Sequence, residues 1–172
     1  MSDIILVTYA TRTGSTAGIA EAIGQTLAAD GTQVDVRAMT EVSDLTPYRA
    51  VVAGSAIQNK QWLPEAMQFV QTQRSALAQR PFAAFLVCMT LAMPKNDYRA
   101  QVAGWLQPVR TQVRPVSEGL FAGVLDISQV PTWRDRLMFR ISLLFGVWSE
   151  GDHRDWDAIR AWATQLKPLL EA

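Results

Sequence analysis

The chain has 172 residues, 49% of them hydrophobic, with 16 Lys and Arg against 16 Asp and Glu, so its formal net charge is zero. That length fits one domain with a real core, and the lack of basic excess excludes a nucleic-acid partner held by phosphate neutralisation. The single cysteine, Cys88, allows no intramolecular disulfide, the start Met1-Ser2-Asp3 has no basic signal-peptide region, and no apolar run is as long as the ~20 residues of a spanning helix, so a cytoplasmic protein is expected.

Ile4-Ile5-Leu6-Val7 is a continuous β-branched run, as expected of a strand buried on both faces of a parallel sheet. Residues 15–29 follow with Ile19, Ala20, Ile23 and Leu27 at helical spacing. A short strand, Val34-Asp35-Val36, comes after the turn at Asp30-Gly31, and residues 50–55 form a third. Residues 64–77 read as a helix opened by Pro64, where a missing N–H costs least. Residues 82–88 are a fourth strand, 98–111 a helix and 119–127 a fifth strand. Residues 156–170 are a closing amphipathic helix with Ile159, Trp162, Ala163, Leu166 and Leu169 on one side. Residues 128–152 exceed what a five-stranded domain needs between its last strand and last helix, and 132–148 within them can form a helix.

This alternation predicts an α/β domain over residues 1–172, a doubly wound five-stranded parallel sheet of order 2-1-3-4-5 with right-handed crossovers. Ligands in such sheets bind beyond the carboxyl ends of the strands, at the switch point. That rule selects the loops after Tyr9, Ser55 and Met89.

The first loop carries the strongest signal. Thr11, Thr13, Ser15 and Thr16 place four hydroxyls in six residues at a helix N-terminus. Free amides and a partial positive charge there favour a phosphate, and Gly14 permits close backbone approach. The plain alternative is that Thr and Ser merely cap the helix. No Gly-Lys-Ser/Thr and no G-x-G-x-x-G occurs, which argues against a nucleoside triphosphate and against a dinucleotide.

Thr11-Arg12-Thr13-Gly14-Ser15-Thr16 resembles the phosphate loop of flavodoxins. Residues 44–57, ending Gly54-Ser55-Ala56-Ile57, resemble their third strand and the loop after it. Together with Trp133-Arg134-Asp135-Arg136-Leu137-Met138 and the ending Gly151-Asp152-His153-Arg154-Asp155-Trp156-Asp157-Ala158-Ile159, the chain is similar to the menaquinone-dependent protoporphyrinogen IX dehydrogenase group of flavodoxin-like proteins. Gln58-Asn59-Lys60-Gln61 departs from that group, where an Arg-Tyr-Gly type run is expected.

The resemblance implies a flavodoxin-like fold with FMN as cofactor, its phosphate on Thr11, Thr13, Gly14, Ser15 and Thr16, with Arg12 in the same loop. The flavin ring would lie between the loop 55–62, with Ser55, Ala56, Ile57, Gln58 and Trp62, and the loop 90–97, with Thr90, Leu91, Ala92 and Met93. Trp62 either stacks on the flavin or packs on the helix after it. Lys60 either stabilises a reduced flavin or is solvated, and Asp97 and Asp126 are candidates by position alone. His153, the only histidine, is read as solvated or capping, and Cys88 as a small core residue.

Residues 137–148 are apolar almost all round a helix, with Arg134, Arg136 and Arg140 towards its start. Such a helix packs as a lid, makes a homodimer contact, or rests at a membrane surface near a quinone. Three classes of function follow: an FMN oxidoreductase passing electrons from a reduced organic donor, by resemblance protoporphyrinogen IX of heme biosynthesis, to a quinone; a flavodoxin-type electron carrier; and a flavin-binding module without turnover. The neutral charge speaks against a carrier, which gains from an acidic surface.

Overall fold

The computed structural model describes residues 3–94 and 96–172; Met1, Ser2 and, in the third loop, Lys95 lie outside the described residues. Five parallel strands form the main sheet: β1 (Ile4–Ala10), β2 (Val34–Ala38), β3 (Tyr48–Gln58), β5 (Phe82–Val87) and β6 (Ser117–Phe121), in the order β2-β1-β3-β5-β6. This is the predicted 2-1-3-4-5 order, with β4 (Gln61–Trp62) a short antiparallel addition to the end of β3.

Because the strands are buried on both faces, alternate residues feed two cores. Ile5, Val7, Ala50, Val52, Ala83, Phe85 and Val87 meet α1 (Ser15–Ala28) and α7 (Trp156–Leu170). Leu6, Val51, Ala53, Phe82, Ala84 and Leu86 meet α2 (Pro64–Thr72), α3 (Arg74–Leu77), α4 (Arg99–Gly104) and α5 (Gln107–Gln112). Gly54 is required in β3 because a Cβ there would overlap the Phe85 ring.

Three elements differ from the sequence expectation. The helix over 98–111 divides into α4 and α5, because Pro108 lacks an N–H and its ring collides with the carbonyl four residues back, at Gly104. The helix over 64–77 likewise divides at Gln73. The strand expected over 119–127 leaves the sheet after Phe121, and β7 (Val124–Leu125) pairs instead with β8 (Gly151–Asp152), antiparallel, with Val124 opposite Asp152.

The segment between β7 and β8 is helical, as expected. Its α6 (Trp133–Leu144) is capped by Thr132, whose hydroxyl accepts from the Asp135 amide at 3.3 Å. No residue of α6 is buried. Phe139 turns inward and meets Trp148 edge-on, ring centroids 6.4 Å apart.

Candidate functional site

At the carboxyl end of β1 the chain turns into α1 through Gly14, which holds φ 90 and is the N-cap. A left-handed residue here is natural for glycine alone. No side chain caps α1, whereas Thr132 caps α6 and Asp155 caps α7. The plain capping alternative for Thr11, Thr13, Ser15 and Thr16 therefore does not describe this helix. Thr11 Oγ1 instead accepts from the Gly14 amide, 3.0 Å, and so shapes the loop. The helical ladder begins with the Gly18 amide donating to the Gly14 carbonyl at 3.2 Å. The amides of the first turn thus lack intrahelical partners and form an anion site.

Thr16 is fully buried and its Oγ1 has no hydrogen-bond partner. A buried hydroxyl left alone costs about 1–3 kcal/mol, and an oxyanion on this turn is a ligand of the kind that would satisfy it. The residues fit a phosphate monoester: hydroxyls, free amides, a glycine turn and no carboxylate within residues 11–16.

Arg12, Thr13 and Ser15 form one wall of a cleft of about 440 Å³. Ala56, Ile57, Gln58 and Leu63 line it from the β3–β4 side, and Val87, Cys88 and Met89 from the end of β5. Gly123, Val124, Gln129 and Pro131 complete it. A smaller pocket of about 270 Å³ adjoins it, lined by Thr13, Gly14, Ser15, Val124, Asp126, Gln129 and Arg154. The Asp126 carboxylate is held below its ordinary pKa chiefly by hydrogen bonds from the Ser128 hydroxyl and amide.

The wall on the β3 side is a hairpin. Asn59 and Lys60 both hold positive φ, 52 and 61, as a two-residue turn matching strand twist requires. Ser55, expected at the flavin, is buried behind this wall. Its Oγ accepts from the Leu63 amide at 3.0 Å and donates to the Ala56 carbonyl at 2.7 Å, pinning the hairpin base. Ala56, Ile57 and Gln58 do line the cleft. Trp62 does not: it pairs opposite Ile57, is 2% exposed and packs in the core. Of its two sequence readings, packing is the one the structure displays, and no ring face is open for stacking.

The third loop lies mostly outside the lining of this cleft. Thr90, Leu91, Ala92 and Met93 do not line this cleft; Cys88 and Met89 just before them do. Residues 89–92 form a 3-10 turn in which the Met93 amide donates to the Thr90 carbonyl at 3.3 Å, so that amide is spent inside the loop. Leu91 faces a separate cavity of about 480 Å³ along β6 and α7, which His153 also lines. That cavity shares none of residues 11–16.

Lys60 is exposed at the hairpin tip, and Asp97 accepts from the Arg99 amide at 2.9 Å at the start of α4. His153 Nε2 lies 2.7 Å from the Ser149 carbonyl. Cys88 is a core residue, as expected, but it also lines the cleft; burial pushes its thiol up to about 11. Sequence reasoning missed Val87, Met89, Gln129 and Pro131, apolar or neutral residues without a chemical signature. It also missed Gly123, whose place inside an expected strand is itself a signal of close approach: a Cβ there would lie 3.0 Å from Val87 Cγ1 and 3.5 Å from Ser15 Oγ.

A doubly wound α/β domain with an uncapped, glycine-turned helix at its switch point defines a phosphate-binding protein of the nucleotide-cofactor type. The family model described as Flavodoxin domain matches residues 6–154, and the chain belongs to that family. Among solved structures it is similar to a flavodoxin from the domain Archaea, with 17% identity, a TM-score of 0.56 and coverage of 98% of this chain and 99% of that one. It is similar also to a short-chain flavodoxin associated with a bacterial microcompartment, with 12% identity, a TM-score of 0.61 and coverage of 96% and 97%. A Fusobacterium nucleatum flavodoxin variant bound to flavin mononucleotide matches at 13% identity and a TM-score of 0.50, over 70% of each chain. No curated protein matches the sequence.

Proposed function

We propose that this chain binds FMN in the cleft beside α1 and works as an oxidoreductase, passing electrons from a reduced organic donor of porphyrinogen type to a quinone. The observation that carries this reading is the cleft's lining. Ala56, Ile57, Leu63, Val87, Met89, Val124 and Pro131 make it largely apolar, and among the described residues no carboxylate lines it. A carrier tuned to low potential gains from acidic groups near its flavin; this cleft and the zero net charge suit reactants with large apolar ring systems, such as a quinone, and place no carboxylate against a donor that carries carboxylates of its own.

In this reading the first turn of α1 holds the phosphate with its amides and the hydroxyls of Thr13, Ser15 and Thr16. Bound FMN supplies the redox chemistry, and the protein supplies position and electrostatics. Ile57 and Gln58 on the hairpin and Met89 at the end of β5 border the space for the ring. Arg12 is engaged by Glu65 and keeps the phosphate loop against α2. No side chain is required as nucleophile or general base.

The test is anaerobic mixing of the FMN-loaded protein with protoporphyrinogen IX, followed by menadione. Bleaching of the flavin by the porphyrinogen and its return with the quinone is the expected result. A flavin that the porphyrinogen leaves oxidised rejects that donor.

A further inference from the structure

We infer that Arg154 is a positioning residue for the phosphate end of the cofactor: lodged against Gly18, it braces the first turn of α1 from the connection between β8 and α7, and so sets how tightly the phosphate of FMN is held. This role rests on the FMN reading and adds to it a residue outside the loop 11–16, 139 positions from Ser15 in the chain.

The Arg154 guanidinium is held on three sides. Its Nε and Nη2 donate to the two oxygens of Asp152 at 2.9 and 2.6 Å, and the Arg154 amide donates to the same carboxylate at 3.0 Å. Its Cζ lies over the Trp156 ring, 4.5 Å from the centroid. A bidentate pair of this kind fixes the plane of the guanidinium as well as its place. Nη1 is the nitrogen that the pair leaves free, and it points to the first turn of α1, 3.5 Å from the Ser15 carbonyl.

Gly18 makes that approach possible. A Cβ at this position would lie 2.7 Å from Arg154 Nη1, whereas Arg154 Cζ and Trp156 Cη2 are 3.8 Å from it. Glycine is among the poorest residues for a helix interior, and α1 carries it where the arginine lies. The Gly18 amide also makes the first bond of the helical ladder, donating to the Gly14 carbonyl at 3.2 Å. Arg154 therefore rests against the bond that fixes the direction of the free amides before it.

The same side of the turn faces the smaller pocket, which Thr13, Gly14, Ser15 and Arg154 line together. Asp126 lines it too, with its oxygens taken by Ser128 and Gln129. The Gly123 carbonyl accepts from the His153 amide at 3.0 Å, so the stem of β7 and β8 stands firm beside Ser15 and carries Arg154 with it. Because Asp152 neutralises the guanidinium, Arg154 acts by placing the turn rather than by attraction at a distance.

The test is fluorescence titration with FMN and with riboflavin of wild type, Arg154→Gln, Gly18→Ala and the double variant. Gly18→Ala puts a methyl where Nη1 lies and pushes the arginine off the turn; alanine is the better helix former, so urea unfolding should show no loss of stability. Each single variant should bind FMN about threefold to tenfold more weakly and riboflavin as wild type does. The double variant should be no weaker than the weaker single one, since both changes remove one contact. FMN affinity equal to wild type in Gly18→Ala overturns the role of Arg154 and leaves the FMN reading standing. An equal fall for riboflavin, or losses that add in the double variant, overturns it too. A wild type that takes up no FMN overturns the FMN reading and this role with it.

Discussion

The guanidinium of Arg12 and the carboxylate of Glu65 meet through two hydrogen bonds, the longer of 3.1 Å, joining the loop before α1 to the first turn of α2. Arg12 lines the cleft, while Glu65 sits on α2 beside a separate groove, so the pair ties the loop 11–16 to α2. The pair is exposed, with Arg12 at 50% and Glu65 at 31%, so its effect on global stability is slight. Its effect on the position of the loop 11–16, through Arg12 at the cleft wall, is the larger one.

Glu65→Gln should therefore speed release of FMN a few-fold, about threefold at low ionic strength, and the difference should shrink with salt. The Arg12 hydrogen bond holds the Glu65 carboxyl below its ordinary value. A depressed carboxyl contributes above its unfolded pKa and loses that contribution as pH falls through the lower folded one. The difference in FMN retention between wild type and Glu65→Gln should thus hold from neutral pH to the ordinary glutamate range, near ~4.3, and vanish only below it. Stopped-flow fluorescence of flavin release measures both; equal rates for wild type and Glu65→Gln at low salt would remove the latch.

Gly14→Val places a β-branched residue at φ 90. The left-handed conformation costs about 1–2 kcal/mol for a residue with a Cβ, so the turn shifts and the first-turn amides lose their aim. FMN affinity should fall by about tenfold or more, while riboflavin, lacking the phosphate, should bind as it does to wild type. Fluorescence titrations with the two flavins separate a phosphate effect from a general loss of structure. A parallel fall for both would place the damage elsewhere.

Trp62 is a core side chain with its ring turned inward. Trp62→Ala should cost about 3–5 kcal/mol in urea unfolding, and Trp62→Phe far less. The visible spectrum and FMN affinity of Trp62→Phe should match wild type. A shifted flavin band in Trp62→Phe would restore the stacking that the structure denies.

Cys88 ends β5 beneath the cleft, 8% exposed, its thiol pushed up to about 11 by burial. At pH 8 the folded protein should react with a disulfide reagent at least about a hundredfold more slowly than the urea-unfolded chain, because the thiolate is scarce and covered. The rate at which the reagent's thiolate is released, followed by its absorbance, decides it. Comparable rates would mean that the floor of the cleft opens readily.

The layers of this fold were legible because burial on both faces of a parallel strand writes itself as continuous runs such as Ile4–Val7 and Phe82–Val87. The glycine turn into α1 stood out for a different reason: Gly14 and four hydroxyls have few other uses at a first strand-to-helix turn. The rest of the cleft was not. Met89 and Val124 look like any core residues, and only the partners they meet in three dimensions distinguish them. Ser55 and Trp62 were drawn to the ligand by nearness in sequence; in the structure the Ser55 hydroxyl is engaged by the Leu63 amide and Trp62 packs in the core. Leu91, expected beside the flavin, stands on a 3-10 turn that hydrophobic period does not reveal and borders a neighbouring cavity.

The pairing of β7 with β8 brings Leu125 and Gly151 side by side, so everything between them leaves and returns through one narrow stem. The main sheet takes no strand from residues 126–150. Such a cassette can lengthen, shorten or be exchanged with little thermodynamic penalty, since doubling a closed loop adds only about 0.6 kcal/mol. The flavodoxin domain and the appendage between β7 and β8 are in that sense separable parts, and the appendage can be rewritten without touching the turn into α1.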